Sequence, residues 1–170
     1  MKKILIMPIG IPGCGKSTWV AEMYNKYGIT HVSSDEVREQ MYGDESIQGS
    51  FSDVFDQVYH LIQIALRSYG VCILDATNVS YFARREAIKR SEADEIWFVV
   101  MDNDLEKAKA QNKMRKRVCP NHVIERMWKK FYKEPPRVSE GKLYHKTVPI
   151  KIYHYKDQSL YWKMEQFKNV

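Results

Sequence analysis

Three cysteines in 170 residues cannot all pair within one chain: Cys14 lies in a glycine-rich loop, Cys72 in an apolar run and Cys119 beside a proline. Such usage is expected of a reduced compartment, which points to the cytoplasm. Metal ligands are equally sparse. Cys119 with His122 is the one Cys/His pair at short spacing, and two ligands do not make a zinc site. Long apolar runs are missing too. The first, Ile4 to Ile11, is too short for a bilayer and leads into glycines and a lysine rather than a cleavage-site pattern, so neither a membrane span nor an export signal is expected. No repeat or low-complexity tract interrupts the chain, and disorder is expected only in loops. One domain over residues 1–170 is expected, a length that buries roughly 70% of the surface of its unfolded form.

Acidic residues are outnumbered, 21 Asp and Glu against 27 Lys and Arg, for a formal net charge of +6. The excess is modest for a nucleic-acid binder, but it is uneven. Lys107, Lys109, Lys113, Arg115, Lys116 and Arg117 fall within eleven residues, and the run ends in KMRKRVCPN, which reads as a loop. Clustering of this kind suits a polyanionic partner or phosphate groups nearby. A solvated helix face is the plainer reading of basic runs in general.

Strands and helices alternate in the pattern. Lys3 to Ile9 has strand length and ends in a glycine loop; Lys16 to Tyr27 reads as a helix with Trp19, Val20 and Met23 inward. GITHVSSD supplies a short strand with Asp35 just past its end. Helical spacing runs from Ser50 to Tyr69, stopped by Gly70, and GVCILDATN follows as a buried strand closed by Asp75. A helix from about Tyr81 to Ser91 leads to the strand EIWFVVMD; Asp104 caps a helix reaching Asn112, Asn121 caps another to about Tyr132, and VPIKIYHY is a fifth strand. Residues 42–49 and 134–146 read as loops able to border a substrate site, and 156–170 as a closing segment whose Tyr161, Trp162, Met164 and Phe167 are expected in the core. With GIPGCGKS, a G-x-x-x-x-G-K-[ST] loop, between the first strand and the first helix, the implied fold is α/β, a P-loop NTPase with a parallel sheet of about five strands, helices on both faces and a basic lid near residues 113–120. In such sheets ligands sit at the carboxyl ends of the strands.

GIPGCGKS matches G-x-x-x-x-G-K-[ST] between a strand and a helix, the context the motif requires. Gly10, Gly13, Cys14, Gly15, Lys16, Ser17 and Thr18 form the loop. Its backbone N–H groups turn toward phosphate oxygens, Lys16 sets a point charge on the β- and γ-phosphates, and Ser17 ligates Mg²⁺. Two marks of a nucleotide switch are missing: Asp75 is followed by Ala-Thr-Asn rather than glycine, and the Asn112-Lys113 pair has no aspartate behind it. Phosphoryl transfer to an acceptor is therefore favoured.

Such a transfer needs a carboxylate to take the acceptor's proton and cations to spread the charge on the γ-phosphoryl oxygens. Asp35 and Arg38, three residues apart, share one face if a helix starts at Asp35, and can address a hydroxyl and a neighbouring phosphate together. A helix cap and a surface arginine is the plainer alternative. Asp75 is placed as a second carboxylate on the magnesium side. Thr77 and Asn78 can bind acceptor or donor phosphates, with Arg84 and Arg85 one to two turns beyond. Arg115 and Arg117, in the basic loop, are the candidates for neutralising the transition state. Tyr42, Phe51 and Phe82 can stack on a terminal base but are expected in the core.

GIPGCGKSTW, SSDEVR, LDATNV with Arg84 after it, QNKMRKR and PNHVIERM together resemble the polynucleotide 5′-kinase domains of phage and bacterial nucleic-acid end-repair enzymes, over roughly Lys2 to Trp128. The resemblance implies transfer of the γ-phosphate of ATP, with Mg²⁺, to the 5′-hydroxyl end of RNA or DNA. It implies Lys16 and Ser17 as the phosphate-loop pair, Asp35 as general base, Arg38 as clamp on the acceptor's adjacent phosphate and Arg115 as lid arginine. Members are often fused to a phosphatase or a ligase, so separate enzymes of those kinds are conceivable partners. Two other readings stay open: a small-molecule kinase, including a toxin-type kinase of nucleotide-sugars, and a module that holds ATP without catalysis.

Overall fold

Side-chain alternation along the strands decides which helices cover which face. The computed structural model describes residues 1–44, 47, 49–115 and 117–168. Lys116 of the basic run, residues 45, 46 and 48 of the 42–49 loop and the last two of the closing segment lie outside them. Along β1 (Ile4–Ile9), Ile4 and Ile6 join Val71 and Ile73 of β3 (Val71–Asp75) and Trp97 and Val99 of β4 (Glu95–Val100) on one face. Leu5, Met7 and Ile9 join Cys72, Leu74, Ile96 and Phe98 on the other. This is the period of two expected for a strand, with both faces buried as in a parallel sheet.

The first face packs on α1 (Lys16–Tyr27) through Trp19, Val20 and Met23 and on α7 (Gln158–Met164) through Leu160 and Met164. The second packs on α3 (Phe51–Tyr69) and α4 (Tyr81–Arg90), with Val37 of α2 (Ser34–Tyr42). Each fully buried aliphatic side chain is worth about 1.5–3 kcal/mol relative to exposure. With β2 (His31–Ser33) and β5 (Ile150–His154) the five strands run parallel in the order β2-β3-β1-β4-β5. A third cluster, Ile11, Val79, Ala108 and Ile124, ties α5 (Leu105–Asn112) and α6 (Asn121–Lys133) over the carboxyl end.

β1 sends its helix to one face and β3 to the other, so a crevice opens between their carboxyl ends. Side-chain caps start most of the helices around it. Ser33, Ser50, Ser80 and Asp104 accept from the backbone N–H three residues on, at 3.4, 3.3, 3.1 and 3.0 Å. At the opposite edge, buried Glu95 accepts from Lys2, Lys151 and the Trp97 indole.

Three expectations are corrected. Asn121 is the first residue of α6, not its cap; Pro120 holds the cap position, and the approach to it is fixed by Asn112, whose carboxamide bonds both N–H and C=O of Cys119. Residues 134–146 do not border the crevice. They fold as a short 3-10 turn, Val138–Gly141, that buries Glu140 against α4. Of the closing segment's apolar residues, Met164 and Phe167 are core and Tyr161 is half-buried, whereas Trp162 is exposed. Among the described residues no helix is long and apolar enough to cross a membrane.

Candidate active site

The crevice is a cavity of about 1490 Å³, larger than the roughly 300–1,000 Å³ of a typical single-ligand pocket, so it has room for two substrates. Its floor is the glycine loop after β1. A Cβ at Gly10 would strike the Cys14 thiol and crowd Met101 Cβ at 3.1 Å. Gly13, at φ +85°, lies against the Ala108 carbonyl oxygen, which a Cβ would meet head-on. Both the dihedral and the contact demand glycine there. The loop is braced from below: Gly10 N–H donates to the Thr77 carbonyl at 3.0 Å and Ile11 N–H to Asn103 Oδ1 at 2.8 Å.

Unlike α2 to α5, helix α1 begins without a side-chain cap, at Gly15 in the left-handed region, and has no acidic residue in its first turn. Its first N–H groups and the positive end of its dipole are left for an anion. Lys16 is buried beside them, its Nζ donating to the Ile11 carbonyl at 2.9 Å and 3.8 Å from Cys14 Sγ. Ser17 and Thr18 follow, exposed on the cavity wall.

Ser33 pairs with Asp75 across β2 and β3, so Asp35, two residues on, and Asp75 open onto the same edge. Asp35 lies in the first turn of α2 with its carboxylate half-exposed. Arg38 Nη1 donates to Asp35 Oδ1 at 2.7 Å and to the Ser34 carbonyl at 3.2 Å, as the one-face spacing requires. Arg38 Nε is buried with no acceptor among the described residues, a donor in want of a partner. From the segment between α5 and α6, Arg117 Nη1 reaches within 3.3 Å of the same Asp35 oxygen. Arg115 is exposed on the cavity wall.

Asp75 and Ser17 both line the cavity, and Asp75 has no ion pair among the described residues. Two hard oxygens suit Mg²⁺, which keeps several waters and takes one or two protein ligands besides substrate phosphates. Among the described residues no group of three or more His, Cys, Asp and Glu could form a dedicated metal cage.

Two expected site residues are otherwise engaged. Asn78, at φ 51°, turns its carboxamide N–H groups onto the carbonyls of Pro8 (2.9 Å), Ala76 (3.1 Å) and Leu74 (3.3 Å), stapling β1 to the turn after β3. Thr77 remains on the cavity wall. Arg84 is fully buried: Nε and Nη2 take the Glu140 carboxylate at 2.8 and 2.9 Å, and Nη1 takes the carbonyls of Asn78 and Val79. Arg85 bonds the carbonyls of Glu140 and Lys142. Neither arginine lines the cavity.

The cavity also holds residues the sequence reading passed over. Arg126 and Lys130 of α6 lie on its wall. At the β5 end, Asp102 accepts from Lys156 Nζ at 2.6 Å and Tyr155 Oη at 3.0 Å and lies 2.9 Å from His154 Nε2. These partners, Lys156 foremost, hold its carboxyl below the usual range against the opposing effect of burial. An acidic residue ending an apolar strand singled out Asp75, and the same signal marks Asp102. Phe51 and Phe82, expected in the core, stand exposed at the cavity. Tyr42 is half-buried against the core.

A parallel sheet of this order, with a phosphate loop leaving the central strand and helices on both faces, defines a P-loop kinase fold. The chain belongs to the AAA domain family, whose model matches residues 5–135. Among solved structures it is similar to a chain of the Pnkp1/Rnl/Hen1 RNA repair complex, at 21% identity and a TM-score of 0.70, covering 94% of this chain and 51% of that one. A gluconokinase from Sinorhizobium meliloti 1021 matches at 14% identity and a TM-score of 0.55, over 99% of this chain and 87% of that one. Chaetomium thermophilum Kti12 in complex with ADP-AlF3 matches at 16% and 0.53, over 97% and 95%. The chain spans about half the length of the RNA-repair chain.

Proposed function

We propose that the protein is a polynucleotide 5′-hydroxyl kinase that transfers the γ-phosphate of ATP to the 5′ end of RNA or DNA. The observation that carries this reading is the Asp35 carboxylate, held by Arg38 and approached by Arg117 in the same cavity as the phosphate loop. Asp35 is the general base. It accepts the proton of the 5′-hydroxyl as that oxygen bonds to the γ-phosphorus, and the bond from phosphorus to the β,γ-bridging oxygen breaks, leaving a 5′-phosphate end and ADP. The uncapped start of α1 and Lys16 hold the donor's phosphates. Ser17 and Asp75 would hold Mg²⁺, directly or through water, and the ion neutralises charge on the β- and γ-phosphates when bound. Of the two candidate arginines, Arg115 and Arg117, the approach of Arg117 to Asp35 supports it as the one that meets the charge of the moving phosphoryl group, and Thr77 stands on the same wall.

A polymeric acceptor is supported by Arg38, whose guanidinium lines the cavity beside Asp35, and by Arg126 along the wall, both suited to an adjacent phosphate. Similarity to a chain of an RNA repair complex leans the same way. The test is transfer of labelled γ-phosphate to a 5′-hydroxyl oligonucleotide, beside Asp35→Asn and with nucleosides and sugars as rival acceptors. Labelled oligonucleotide that falls about 10²–10⁴-fold with Asp35→Asn is the expected result. Label on a small molecule alone would reassign the acceptor, and no transfer at all would leave an ATP-holding module.

A further inference from the structure

Two phenyl rings stand in water where a folded chain would ordinarily hide them. Phe51, the first residue of α3, is 56% exposed, and Phe82, in the first turn of α4, is 63% exposed. α3 leads into β3 and α4 leaves it, so both helix starts reach the carboxyl edge of the sheet, and both rings line the cavity that holds Asp35 and Arg38. Phe51 is not loose. It stacks on Phe55 at a centroid distance of 4.4 Å and 29°, and Phe55 packs on buried Tyr59 at 5.8 Å. One ring face is thus backed by the core while the remainder is open.

We propose that Phe51 and Phe82 form a stacking platform for the unpaired 5′-terminal base of the acceptor, a reading that rests on the polynucleotide kinase proposed above. Every base offers a π-face, so a phenyl platform binds ends of any sequence. Cations of the same cavity fit the remainder of such a ligand: Arg38 and Arg126 line it and suit the phosphates that follow the first nucleoside. The terminal base of a duplex is stacked on its one neighbour and tied to its complement, so it cannot swing onto the platform without unpairing, and the platform favours single-stranded ends. Phe51 and Phe82 then determine specificity and leave the chemical step to Asp35.

The test is steady-state transfer to three acceptors of one sequence: a single strand, the same strand with an abasic 5′-terminal nucleotide, and a blunt duplex. Wild type is compared with Phe51→Ala, Phe82→Ala and the corresponding tyrosine variants, with unchanged KM for ATP showing that each folds. For wild type, the abasic and blunt ends are expected to raise KM about 10- to 100-fold with kcat within about threefold. Each alanine variant raises KM for the intact single strand similarly and leaves KM for the abasic strand unchanged, and tyrosine restores it. Equal KM for intact and abasic ends, or an alanine penalty of the same size on both, overturns the platform while leaving the kinase standing. Failure of wild type to label any oligonucleotide removes the kinase reading itself, and the platform with it.

Discussion

Arg117, between α5 and α6, and Asp35 of α2 meet across the cavity, Nη1 to Oδ1 at 3.3 Å, on the same oxygen that Arg38 holds at 2.7 Å. The two arginines come from different elements, one from Asp35's own helix and one from the segment between α5 and α6. On the proposed reading, an acceptor hydroxyl at Asp35 arrives beside Arg117, where the transferred phosphoryl group would also sit. This separates two lid arginines that spacing alone leaves equal. Arg117→Ala is expected to lower kcat on the order of 10³-fold, the lower end of what an arginine finger contributes. Arg115→Ala is expected to cost less than tenfold. Parallel transfer kinetics of the two variants check it, and the reverse order would mean that Arg115 carries the charge in the loaded enzyme.

Gly13→Ala confronts two obstacles at once, a left-handed φ of +85° and the Ala108 carbonyl oxygen of α5. Neither can yield without moving the phosphate loop or α5. The variant is expected to lose detectable ATP binding by calorimetry, because displaced loop amides no longer converge on the phosphates. Its far-UV circular dichroism should stay native, since the sheet below is untouched.

Much of this arrangement was legible in the residues. Lys16 and Tyr27 bound α1 as expected, Ser50 and Gly70 bound α3, and Asp104 caps α5, because capping and glycine termination are local chemistry. Asp35 and Arg38 share a face for the same reason. What spacing could not supply were pairings across the chain. Arg84 resembles a phosphate ligand until Glu140, 56 residues on, is seen to take its guanidinium. Asn78 resembles one until its amide is found on Pro8, and the exposure of Phe51 depends on where α3 happens to begin against the sheet.

The Arg84–Glu140 pair is wholly buried, and Arg84 also secures the carbonyls of Asn78, Val79 and Glu134. Removing one partner leaves an uncompensated charge in the interior, at a cost of about 3–5 kcal/mol. Glu140→Leu is thus expected to lower Tm by roughly 10 °C. The double variant Arg84→Met, Glu140→Leu should lose less than Glu140→Leu alone, because no buried charge remains. Calorimetric melting of the single and double variants measures the difference, and a larger loss in the double would show that the carbonyl contacts of Arg84 dominate.

Glu95 gives the fold a pH dependence at its other end. Burial by itself raises its pKa, but hydrogen bonds from Lys151, Lys2 and the Trp97 indole outweigh burial and bring it from an ordinary 4.5 to about 2. A folded-state pKa below the unfolded one means that the unfolded chain binds the proton first as acid is added. The stabilisation from Glu95 is therefore complete above about pH 4.5 and is lost as pH falls toward 2. Its size is at most about 3–4 kcal/mol, at roughly 1.4 kcal/mol per unit. Urea unfolding at pH 7, 5, 4 and 3 is expected to show stability falling in the last two steps. Glu95→Gln should be less stable at pH 7, since a neutral amide holds two lysines less well, and its profile should be flatter between pH 4 and 3. Equal slopes for wild type and variant would assign the acid sensitivity to other carboxylates, with Asp102 and its Lys156 partner next in order.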